Sequence, residues 1–96
     1  MIHTIENKFE GSGEVKGWLF EKVKETDSGY IYSVTKEEAK HFEVFKKKNT
    51  PICLDFENKV YSETEFKEVK PNSKSFGVWA WSYYTFDRAL DKLMSL

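Results

Sequence analysis

Ninety-six residues, 32% of them charged and 40% apolar, make a chain that is long enough for one folded domain and too apolar for a disordered one. A formal net charge of −1 excludes a global positive field of the kind that draws proteins onto nucleic acid or anionic membranes. The single cysteine, Cys53, excludes an intrachain disulfide and fits a reducing compartment. The first residues, Met1 to Lys8, carry no apolar core of the signal-peptide type. The longest uncharged run, residues 75–86, is well short of the roughly 20 apolar residues of a spanning helix, so a cytoplasmic protein with no membrane role is expected.

Gly11-Ser12-Gly13 reads as a turn, and residues 14–24 as the first strand, with Val15, Gly17, Leu19 and Val23 on one face and Trp18 and Phe20 on the other. Residues 25–29 (Glu-Thr-Asp-Ser-Gly) form a turn signal, because Asp and Ser bond locally and Gly tolerates φ > 0. A second strand follows over residues 30–35. After the polar stretch 36–40, a third spans residues 41–47, with Phe42 and Val44 opposed to His41 and Phe45. Ile52, Leu54 and Phe56 alternate with Cys53, Asp55 and Glu57 in a fourth, half-buried strand. Residues 57–75 fit either one or two short edge strands or a long loop.

Residues 76–86 concentrate aromatic rings. As one strand they place Trp79, Trp81 and Tyr83 on one face and Phe76, Val78, Ala80, Ser82 and Tyr84 on the other. Thr85 is an N-cap candidate with Asp87 in the first turn. Phe86, Ala89, Leu90, Leu93 and Met94 then follow the spacing of an amphipathic helix too short to stand alone. Strands followed by one helix imply a single α+β domain over residues 1–96: an antiparallel sheet of four to five strands with one C-terminal amphipathic helix packed on one face.

The first strand carries apolar side chains on both faces, and one helix covers only one side of such a sheet. The second face therefore needs a curled sheet, the 57–75 segment or another chain as cover. That points to a small non-enzymatic interaction module, binding a protein partner or itself through an aromatic face or an edge. Its candidate residues are Trp79, Trp81 and Tyr83 with Trp18 and Phe20 beside them, since large rigid rings dominate interface energetics. The alternative is single-stranded nucleic acid held by Lys46, Lys47 and Lys48 with rings nearby, although such a run more often protects a strand edge. His3, His41 and Cys53 have no metal-ligand spacing, and a Cys53–His41 dyad requires the third and fourth strands to pair. No catalytic residue, metal ligand or cofactor motif stands out. The Lys-, Glu- and Phe-rich, Arg-poor composition fits coding in an AT-rich bacterial or phage genome.

Overall fold

The computed structural model describes residues 2–96. Its strands in chain order are β1 (Ile2–His3), β2 (Lys8–Glu10), β3 (Leu19–Glu25), β4 (Gly29–Lys36), β5 (Ala39–Lys46), β6 (Asn49–Asp55), β7 (Val60–Glu68) and β8 (Ala80–Tyr83), and one helix follows, α1 (Phe86–Met94). A five-stranded antiparallel sheet has the order β2-β3-β4-β5-β8. A smaller sheet, β1-β7-β6, joins an antiparallel hairpin to a short parallel strand. The expected α+β architecture is present, with α1 packed on the larger sheet.

The central strand β4 is buried on both faces, as its run of Tyr30, Ile31, Tyr32, Ser33 and Val34 requires. The turn before it is closed by Thr26, whose Oγ1 accepts from the amides of Ser28 and Gly29 at 3.2 Å. The turn after it is tighter than the polar stretch 36–40 suggested. Lys36 pairs directly with Ala39, and Glu37 takes φ 54°.

Pairing register sorts the side chains into two layers. On one face Ile31 lies across from Val44, and Val44 across from Trp81; Phe42 lies across from Tyr83. Ala89 and Leu93 of α1 close this layer, with Leu90 and Leu96 at its edge. Thr85 caps the helix by accepting from the amide of Arg88 at 3.4 Å, and Asp87 sits in the first turn. On the other face Tyr30, Phe45 and Ala80 form one row, and Phe20, Val34 and His41 another. Phe20, Tyr30, Tyr32, Val34, Phe45 and Ala80 are buried here, with Ile5, Phe9, Trp18 and Trp79 laid over them.

Three expectations change. The first strand begins at Leu19, because residues 13–15 form a 3-10 turn and Gly17 has φ 90°. The fourth strand leaves the main sheet and pairs with β7 inside the 57–75 segment, so β6 and β5 are not neighbours. The ring-rich stretch is not one strand. Residues 76–79 wrap around Ser75, whose carbonyl accepts from the amides of Val78, Trp79 and Ala80 at 3.0–3.1 Å, and β8 begins only at Ala80. Trp79 therefore leaves the face it was expected to share with Trp81 and Tyr83.

The two sheets are tied at the base of the hairpin. Glu68 Oε1 accepts from the Tyr30 hydroxyl and from the Ile5 amide, the latter at 2.9 Å, and the Val69 amide donates to the Lys48 carbonyl at 2.8 Å. Beyond Pro51 and Phe66 the hairpin is a two-stranded ribbon, part of a molecule measuring 43 × 29 × 22 Å.

Candidate functional site

The face of the sheet opposite α1 is not fully covered. The N-terminal segment and residues 70–76 lie over parts of it and leave a cleft of about 840 Å³ between them. That volume falls within the range of roughly 300–1,000 Å³ typical of ligand pockets. Its walls are the rings of Phe9, Trp18, Phe20, Phe45 and Phe76, with Gly11, Ser12 and Val15 at one lip and residues 70–74 at the other. The rings hold one another: Phe9 stacks on Phe20 with centroids 4.8 Å apart, and Trp18 meets His41 edge-on at 5.5 Å.

The floor is polar. Strand alternation sends His41 and Glu43 of β5 to the same side, and the register sets Ser82 of β8 directly across from Glu43. Glu43 is only 6% exposed. With its carboxylate ionised, it accepts at Oε2 from His41 Nε2 at 3.0 Å. Burial pushes its carboxyl above the usual range, and the hydrogen bond and charge of His41 pull it partly back. A buried carboxylate of this kind is a poorly solvated hydrogen-bond acceptor.

The rim carries Lys70, Lys74 and Glu10. Lys70 lies 4.0 Å from the centre of the Phe9 ring and 3.2 Å from Glu6. Glu6 is held below the ordinary carboxyl range, first by a backbone hydrogen bond and then by Lys70.

The residues singled out in the sequence divide between the two faces. Trp18 and Phe20 belong to the cleft. Trp79 lies on the same face but outside the cleft lining, edge-on to Phe45 at 6.4 Å. Trp81 and Tyr83 lie on the helix side. The Lys92 ammonium sits 4.0 Å over the Trp81 ring, and Tyr83 packs against the helix-side core. For these two rings the cover is α1.

The basic run does not form a groove. Lys46 is exposed, Lys47 bonds Glu25 at 2.7 Å, and Lys48 lies 5.0 Å over Trp79. Cys53 is exposed on β6 in the smaller sheet, so no Cys53–His41 dyad forms. His41 instead meets Glu43, a pairing two residues apart in sequence that the alternation of β5 already contained. Among the described residues no group of three or more His, Cys, Asp or Glu is placed to hold a metal ion, and no helix is long and apolar enough to cross a membrane. No family model, curated protein or solved structure matches the chain.

Proposed function

We propose that the protein is a small non-catalytic binding module that takes an aromatic-bearing segment of a protein partner in the cleft opposite α1. The observation that carries this reading is the conjunction of five aromatic walls with the buried Glu43, hydrogen-bonded to the half-buried His41, in one cleft of about 840 Å³. Rings supply apolar contact area at little conformational cost, and the buried carboxylate fixes orientation by accepting one hydrogen bond. The seat of binding thus moves from the Trp81 and Tyr83 side of the sheet to the Trp18 and Phe20 side.

The test is affinity for a panel of short peptides with aromatic side chains, read by intrinsic fluorescence, in wild type and in Trp18→Leu and Phe76→Ser. Each substitution is expected to weaken binding by about 1–3 kcal/mol while the chain stays folded. Equal affinity in all three proteins would remove the cleft as the site. Single-stranded nucleic acid is the second reading, favoured only by the position of Lys48 above the half-buried Trp79. It requires affinity for a labelled oligonucleotide that falls steeply with salt.

A further inference from the structure

Glu43 is a buried carboxylate with room for a second partner. His41 Nε2 lies 3.0 Å from its Oε2, and among the described residues no other hydrogen bond reaches this side chain. No wholly buried side-chain oxygen or nitrogen among those residues lacks a partner, so Oε1, which has none, keeps an opening to solvent; the space that Glu43 lines is the cleft. A poorly solvated carboxylate oxygen of this kind is best satisfied by a charged donor.

The surrounding charges admit a cation. Glu43 is buried, whereas the two lysines of the cleft, Lys70 and Lys74, are exposed. Lys70 is already paired with Glu6 at 3.2 Å and set 4.0 Å over the Phe9 ring. Glu6, Glu10 and Glu43 against Lys70 and Lys74 come to −1 with His41 neutral and to zero with it protonated, so the cleft as a whole does not draw anions.

The rings suit the same charge. The half-buried Trp18 meets His41 edge-on at 5.5 Å, so an indole and the Glu43 carboxylate flank the same imidazole. Indole is the best of the aromatic rings for a cation. A guanidinium is planar, stacks on aromatic faces and is more weakly hydrated than an ammonium. From a buried carboxylate with one free oxygen beside an indole, we infer that the partner segment taken by the cleft carries an arginine, whose guanidinium donates to Glu43 Oε1 and lies against Trp18. The inference rests on the cleft reading above and names the second group that the segment presents beside its aromatic ring.

Matched peptides test it. One panel of capped glycine peptides carries a phenylalanine and, at varied spacing, an arginine. Two further panels replace the arginine by citrulline, which keeps its shape and loses its charge, or by lysine. Titrations are read by tryptophan fluorescence. Wild type should bind the best arginine peptide about tenfold or more tightly than its citrulline twin, with the lysine peptide between them. In Glu43→Gln the arginine and citrulline peptides should bind alike, because the charge that distinguishes them has lost its partner. The wild-type comparison needs no variant, so it decides the matter even if Glu43→Gln fails to fold.

Equal affinity of wild type for the arginine and citrulline peptides would overturn the inference. So would a preference for arginine that survives in Glu43→Gln, which would place the cation at Glu10 or Glu6. If the two peptides bind equally and both lose affinity in Trp18→Leu, the cleft still takes an aromatic segment and only the arginine is struck out. Binding of none of the peptides would remove both readings.

Discussion

Glu43 is the buried carboxylate of the cleft. Its folded-state carboxyl titrates above its unfolded value because burial disfavours the charge. The native state therefore binds this proton more tightly than the unfolded chain. The penalty is absent at pH below the ordinary carboxyl range and grows as pH rises through the raised folded value. Glu43→Gln removes the charge and keeps a hydrogen-bonding group beside His41. It should raise the unfolding free energy by about 1 kcal/mol at neutral pH relative to wild type, with little difference near pH 4. Urea unfolding at the two pH values checks this, and a variant that is less stable only at neutral pH would show that the ionised pair stabilises the fold. Glu6 and Glu25 act in the opposite sense. Glu25 is held low by hydrogen bonds from Lys22 and then Lys47, so both acids contribute stability above the ordinary carboxyl range and lose it as pH falls. Comparing Glu43→Gln with wild type at each pH cancels them.

At the scale of elements, α1 and β8 form one structural unit. Trp81 lies between Val44 and Lys92 on the covered face, so Trp81→Ala opens space beneath the helix. The half-buried ring should cost about 2–3 kcal/mol when removed, seen as a lower urea midpoint and a loosened helix. An unchanged midpoint with lost binding would return Trp81 to the partner surface. The tie between the sheets is Glu68. Glu68→Ala leaves the Tyr30 hydroxyl and the Ile5 amide without their acceptor and should cost about 1–3 kcal/mol. A change within about 0.5 kcal/mol would mean that water replaces it.

These elements also show what one-dimensional patterning carries. Helix α1 was legible because its spacing, its Thr85 cap and Asp87 agree, and β3 to β5 because turn chemistry separates alternating segments. The split of residues 76–86 was not legible. It depends on the Ser75 carbonyl gathering three amides, and alternation cannot sense such a turn. Nor was the departure of β6 from the main sheet, since strand order is a non-local choice. The tight β4–β5 turn escaped notice because Glu37, not Gly or Asn, holds the positive φ.

For the whole molecule, the apolar pattern of β3 implies cover on both its faces, but the structure buries only one: Phe20 is buried, whereas Leu19 and Val23 are exposed. The face with Phe20 does have a cover. It is supplied from three places far apart in sequence: the N-terminal segment, residues 70–76 and Trp79. The cleft is what they leave, so its members were recognisable singly, as Trp18 and Phe20, but not as a set. Nothing in the sequence joins Phe9 to Phe76 or sets Ser82 opposite Glu43. The same non-locality separates the hairpin tip from the main body.

The central claim is that one face of the main sheet is structural and the other binds. Amide chemical-shift mapping of the isotope-labelled protein, titrated with aromatic peptides, addresses it most directly. The expected result is a contiguous set of shifts at Gly11, Trp18, His41, Glu43 and Phe76, with α1 unmoved. Shifts centred on Trp81, Tyr83 and Lys92, or on Lys46 to Lys48, would contradict it.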